Sequence, residues 1–503
     1  MTSYERPHST PYCIVYHEQT KYTPEGLSRR TRSLDWDAQP QATKTYTTGS
    51  VLDLRPYLPG QPDSFPAGEL SSLSRLLYLT YGVTAVIPYP DRPFYMRSAP
   101  SAGGLYPAEV YVISRGTPAL EAGIYNYQVS SHSLIGFWKG NAWQGLKEAA
   151  FGATAFETAH LAIVVTGVFE RSAWRYEDRA YRRIFLDSGH LLGNLELAAS
   201  LEQYHVSLFT GFADDLLRDL LFLSPQQEEG IAIAALLPLQ NPPEPQSALP
   251  SSIRRDYPEI PEGQRLYYLH EVSKIAQLPT TIPHRVAEDK YNFPFCLKIP
   301  TITVPIDWQD NRLEQAIVRR RSTRQYTGEM LTFEELKLLL DFTYQPQHYS
   351  DQGFDPVPEY AHLALLSTFV AVLGVEGLEP GCYYYAPGAQ ELRQIRFKNF
   401  RKEVFHLCLG QDLGRDSGAV IFHTADLPVA ANLYGERVYR TLHLDSGHLA
   451  QRLNLAAMRL GLGVSGIAGF FDDQVNEVLG IPEQEAVLYL TTLGRPVQGR
   501  GSA

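Results

Sequence analysis

Hydrophobic positions recur with helical spacing in "SSLSRLLYLTYG" (71–82) and in "TFEELKLLLDFTY" (332–344), where Thr332 and Glu335 offer an N-terminal capping box. The runs "EVYVIS" (109–114), "HLAIVVTGVF" (160–169), "IAIAALLPLQ" (231–240) and "AVLYLTTLG" (486–494) predict strands, the last two closing their domains. "LDSGHLAQRLNLAAMRLGLG" (444–463) predicts a long helix that ends at glycines, with Leu449, Leu453, Ala456 and Leu460 on one face. Its largely apolar character makes it a central core helix, and Gly447 and Ala457 permit close helix packing.

The pattern occurs twice. "YRRIFLDSGHLLGNLELAA" (181–199) returns as "YRTLHLDSGHLAQRLNLAA" (439–457), an offset of 258 residues. The same offset relates "EAGIYNY" from Glu121 to "EPGCYYY" from Glu379, and "TGFADD" from Thr210 to "AGFFDD" from Ala468. Three matches at one spacing mark a duplicated domain. A Pro/Ser-rich stretch, 240–263, reads as an extended linker, followed by a short helix in "QRLYYLHEVSKIAQL" (264–278). The expected organisation is an N-terminal extension (1–49), a first domain (50–240), a linker with a helical connection (241–307) and a second domain (308–503).

Composition narrows the class. A chain of 503 residues with 44% hydrophobic content can bury more than one core. Its net charge of -11 argues against nonspecific binding to nucleic acid or anionic membrane. The start, "MTSYERPHSTPYC", lacks the form of a signal peptide, and no apolar run is long enough to span a bilayer. Cys13, Cys296, Cys382 and Cys408 are widely spaced and form no metal or disulfide framework. A cytoplasmic protein is expected.

The two copies diverge where chemistry would sit. "PSAGGLYP" (100–107) falls on "PEYAHLAL" (358–365), so the second copy has lost a serine and two glycines that would let backbone approach a ligand. Conversely, the second copy opens with "IVRRRSTRQYTG", clustering Arg319, Arg320, Arg321 and Arg324 around Ser322 and Thr323. Guanidiniums with a hydroxyl suit a phosphate; a solvated surface run is the alternative. One composite site between the domains explains the complementary losses, and two equivalent sites do not.

Together these residues resemble the FMN-dependent nitroreductase superfamily, and within it the SagB/ThcOx-type dehydrogenase branch. "RRSTR" is similar to the superfamily's basic opening motif, "PSAGGLYPAEVYVI" to its Pro-Ser motif, and "LDSGHLAQRLNLAAMRLGLGVSGIAGFFDD" to its long interface helix and following loop. "EAGIYNY" with "HSLIGFWKG" resembles the branch's Tyr-rich hairpin region. The resemblance implies an α+β fold: two nitroreductase-like domains with central, mostly antiparallel sheets flanked by helices, arranged as an intrachain pseudo-dimer. It implies one FMN per chain. Arg320, Arg321, Ser322 and Arg324 would hold the phosphate from one domain, with Arg495 or Arg500 adding a late contact. Pro100, Ser101, Gly103 and Gly104 would approach the flavin from the other, and Gly466, Ala468 and Gly469 would lie beside the ring.

The expected activity is hydride transfer to or from a small organic or peptide-derived substrate, by a monomer or a higher homo-oligomer. No GxGxxG fingerprint follows a strand, so NAD(P)H would bind transiently. Azoline oxidases of the branch carry a Lys-Tyr pair before the long helix. Here that position reads Arg175-Tyr176, and the second copy reads Leu433-Tyr434. Arginine is a poor general base, so Tyr176 and Tyr434 remain as proton-handling candidates beside Arg175. An azoline-peptide dehydrogenase and an inactive binding module are the alternatives. Asp187/His190 and Asp445/His448 share a helix face and read as structural rather than metal-binding. Asp214-Asp215 and Asp472-Asp473 read as helix caps, and His17 and Lys21 as residues able to touch the flavin.

Overall fold

The structure is a computed structural model that describes residues 10–29, 33–58, 68–89, 93–240 and 248–497. The helices that matter are α1 (Tyr12–Gln19), α2 (Glu69–Tyr81), α3 (Phe169–Tyr176), α4 (Ala180–Leu201), α5 (Arg265–Val272), α6 (Arg312–Arg319), α7 (Phe333–Tyr344) and α8 (Val438–Arg459). The first repeat's sheet comprises β1 (Ser50–Asp53), β2 (Ala108–Ser114), β3 (Gly123–Gln128), β4 (Ser133–Lys139), β5 (Leu161–Val168), β6 (Tyr204–Phe209) and β7 (Glu228–Pro238). The second comprises β8 (Lys298–Pro300), β9 (Leu366–Val372), β10 (Gly381–Ala386), β11 (Glu391–Phe397), β12 (Ala419–Asp426), β13 (Gly463–Ile467) and β14 (Glu485–Gly494).

Each sheet is 7-stranded and antiparallel, and the two share one topology: β1-β4-β3-β2-β5-β7-β6 and β8-β11-β10-β9-β12-β14-β13. The expected fold class is therefore observed. The capping box is present at α7: Glu335 N donates to Thr332 Oγ1, and Thr332 N to the Glu335 carboxylate.

Helices α4 and α8 pack on each other at the centre and are buried on every side over almost their whole length. Gly189 and Gly447 set their separation. A Cβ on Gly189 would lie 2.0 Å from Leu444 O, and one on Gly447 would lie 2.2 Å from Leu186 O. Only backbone fits at this crossing.

The duplication reaches further than the offset of 258. The arm "YHEQTKY" (16–22) returns as "LHEVSKI" (269–275), and the two arms make equivalent contacts across the molecule. Tyr22 N donates to Asp472 Oδ2, and Ile275 N donates to Asp214 Oδ2, both at 2.9 Å. Each arm thus docks on the opposite repeat.

Those aspartates do not cap their helices as expected. Asp214 and Asp472 are the first helical residues, and no side chain caps either helix. Instead, Asp472 bridges Arg179 (2.8 Å) and Arg182 (2.7 Å), while Asp214 bridges Arg437 (2.6 Å) and Arg440 (2.8 Å). All six groups are buried, and every pair links one repeat to the other. The guanidiniums outweigh desolvation at Asp214 and hold its carboxyl at about 2.

Candidate active site at the repeat interface

The segment Pro100–Gly104 bends sharply between the strand Phe94–Arg97 and β2, with Gly103 at φ +65° and Gly104 at φ +66°. Asp187 on α4 pins the bend from below. It accepts from Ser101 Oγ at 2.5 Å and from Ala102 N at 3.1 Å, and Tyr106 N donates back to Ser101 Oγ at 2.9 Å. Burial is the largest influence on Asp187 and raises its pKa to about 7 against these two donors.

Facing the bend are Ser322 and Arg324, which follow α6, together with Asn454 on α8, Ser465, Gly466 and Ala468 along and after β13, and Tyr489 on β14. With Arg183, Leu186, Asp187 and His190 of α4 they enclose a cavity of about 110 Å³ that draws on both repeats. Gly466 is required by its neighbour, since a Cβ there would lie 1.7 Å from the buried Tyr489 hydroxyl. Arg183 spans the floor, its guanidinium 3.9 Å from the Tyr176 ring centre and Nη2 donating to Ala468 O at 3.3 Å. His190 Nδ1 is 2.8 Å from Leu186 O, and burial lowers its pKa to about 4. The ring is neutral at ordinary pH.

The sequence-derived candidates separate into groups. Pro100, Ser101, Gly103, Ser322, Arg324, Gly466 and Ala468 line the one cavity. Tyr176 and Arg175 stand at its rim: a Cβ on Gly103 would be 2.8 Å from Tyr176 Oη and 3.6 Å from Arg175 Nη1. Gly469 lies next to Arg183, whereas Gly104 packs on the Phe94 ring.

The remaining candidates face other partners. Arg320 is buried and donates through Nε to Ser98 O (2.9 Å) and through Nη2 to Arg97 O (3.2 Å). Arg321 is tied to Thr84, and Arg495 forms a bidentate pair with Glu335. Tyr434 donates to Pro283 O and its ring lies tilted against His362, centroids 4.1 Å apart, in the second repeat. His17 contacts Tyr439, and Lys21 pairs with Glu18 and Asp473, both outside the cavity. Arg500 lies outside the described residues. Arg183, Asp187, Asn454 and Tyr489 were not read as lining groups. For Arg183 and Asp187 a signal existed, because both lie on the first copy of the helix read as central in the second.

The equivalent position in the other half is filled by its own side chains. Asp445 repeats the pinning role, accepting from Ala361 N and His362 N. Glu359 stands where the first copy has Ser101 and accepts from Leu208 N at 2.6 Å. It lies 3.5 Å from His205 Nε2, and His205 Nδ1 is 2.5 Å from Asp355. Those two carboxylates outweigh desolvation and raise the His205 pKa to about 9. Tyr360 lies over His448 at 4.4 Å, and Glu196 pairs with Arg452 at 3.0 Å.

Larger cavities among the described residues include one of about 720 Å³ beside Lys44, Phe137, Trp138 and Glu228, and one of about 540 Å³ beneath residues 284–290. Neither joins the bend of one repeat to the basic segment of the other. Chemistry rather than size therefore singles out the interface cavity. Among the described residues, Ser322 and Arg324 have no protein partner, leaving an uncommitted guanidinium and hydroxyl opposite a bend whose Gly103 carries no side chain. Donors of this kind fit a phosphate group.

The fold defines a nitroreductase-type protein with two such domains on one chain. The chain belongs to the nitroreductase family, whose family model matches residues 61–236 and 317–495. The crystal structure of a candidate nitroreductase from Anabaena variabilis ATCC 29413 is 56% identical, covers 97% of this chain and all 100% of that one, and superposes with a TM-score of 0.92. A candidate nitroreductase of Methanocaldococcus jannaschii is 31% identical over 192 residues, 38% of this chain and 95% of its own. The trifolitoxin-processing protein TfxB of Rhizobium leguminosarum bv. trifolii is 30% identical over 172 residues, 33% of this chain and 46% of its own length. The expected family and its SagB/ThcOx-type branch are both met in these relatives. No described helix is long and apolar enough to cross a membrane.

Proposed function

We propose that this protein is an FMN-dependent oxidoreductase with a single composite flavin site between its two repeats. The observation that carries the reading is the asymmetry: one interface cavity keeps the bend and the uncommitted donors, and its counterpart is filled by Glu359 and Tyr360. When bound, FMN supplies hydride chemistry at its ring. Arg324 and Ser322 would hold its phosphate with charge-assisted and hydroxyl donors. Asp187 fixes the Ser101–Ala102 backbone so that the bend would meet the cofactor at Gly103, where no side chain intervenes. Tyr176, at the rim, holds its proton at ordinary pH because burial raises its pKa, so it acts as a hydrogen-bond donor to substrate rather than as a base.

The substrate reading is a small organic molecule or a peptide-derived group, with NAD(P)H as a transient electron donor. Similarity to toxin-processing proteins favours peptide azolines as a second reading. The Arg175 substitution at the expected lysine weighs against it. Flavin extraction from the purified protein should give one FMN per chain. Two FMN per chain would exclude the composite site. A bound flavin that neither NAD(P)H nor dithionite reduces would favour an inactive binding module.

A further inference from the structure

The chain is acidic overall, and exposed Asp35 and Asp37 flank Trp36, yet the side chain that reaches the cavity rim is a cation. Arg175 is exposed at the end of α3, and its guanidinium makes no hydrogen bond or ion pair among the described residues. Nη1 reaches the rim, 3.6 Å from the Cβ position of Gly103. Beside it stands Trp36, 60% exposed, with the Arg175 guanidinium 5.9 Å from its ring centre. Trp36 is held in place from behind: its ring packs edge-on against Trp174 at 5.4 Å, and Trp174 Nε1 donates to Asp35 O at 3.0 Å. A large apolar ring left in water, next to an unpaired cation that itself reaches the cavity rim, is a platform for a flat anion. Arg324 supplies the cation for a phosphate on the opposite wall, so Arg175 is surplus to cofactor binding.

We propose that Trp36 and Arg175 form the substrate-recognition rim, and that the substrate is a planar molecule bearing a carboxylate. The ring stacks on Trp36 and the carboxylate takes the guanidinium fork of Arg175. Arginine thereby takes a specificity role at the position where the sequence comparison expects a catalytic lysine. This inference rests on the flavin site proposed above.

The test uses flavin-loaded protein reduced with dithionite, whose reoxidation is followed with para-nitrobenzoate and with the neutral para-nitrobenzamide. Arg175→Gln should raise the half-saturating concentration of the benzoate about tenfold and leave that of the benzamide within about twofold. Arg175→Lys should restore part of the loss, and Trp36→Ala should weaken both probes by a few-fold, with FMN content unchanged in all three. Equal effects of Arg175→Gln on both probes, or no effect on either, would overturn the proposal. So would a loss confined to reduction by NADPH and not NADH, which would give Arg175 to the ribose phosphate. Equilibrium dialysis of para-nitrobenzoate reads the same anchor without flavin turnover. Should the protein hold no FMN, the flavin reading falls, and unchanged dialysis in Arg175→Gln would sink this one separately.

Discussion

Arg320 and Arg324 belong to one basic run yet face different partners. Arg320 ties the second repeat to the carbonyls of Arg97 and Ser98, just before the bend, while Arg324 ends free at the cavity. Their substitutions should therefore be distinguishable. Arg324→Gln is expected to weaken FMN binding about tenfold in a fluorescence titration while the melting temperature holds. Arg320→Ala should cost about 1–3 kcal/mol of stability in denaturant unfolding, because two buried carbonyls lose their donor. Asp187 makes a different prediction. Its carboxyl binds a proton more tightly folded, at about 7, than unfolded, at 3.8. Its contribution is complete below about pH 4 and declines as pH rises toward 7. The slope of urea midpoint against pH over that window should be shallower in Asp187→Asn, and an unaltered slope would remove Asp187 as its source.

At the level of elements, the crossing of α4 and α8 carries the arrangement of both halves. Gly447→Val would drive a side chain into Leu186 O, costing about 3 kcal/mol, which a guanidinium chloride midpoint would register. Much of this was legible beforehand. Periodicity and the repeat marked the central helices, the strands and the bend, because these depend on local spacing. The exchanged arms were missed because their offset differs from 258 and only "HE" and a lysine survive in both. The partners of Asp214 and Asp472 were missed for a related reason. A helix-start aspartate reads as a cap unless the chain folds arginines onto it from far away. Arg320 shows the same limit: sequence marks a guanidinium, but only packing reveals that backbone carbonyls claim it.

For the molecule as a whole, the composite site proposed above means that covalent fusion frees one half-site to change. Once two copies share a chain, each can discard what the other supplies, and Glu359, Tyr360 and His205 occupy the discarded space. Separate subunits that each lend a wall to a cofactor must meet before they can hold it, so their cofactor leaks away as the solution is thinned. Here Gly103 and Ser322 are tethered to each other at every concentration. Flavin retention measured from micromolar down to nanomolar protein, with free FMN held constant, should stay level.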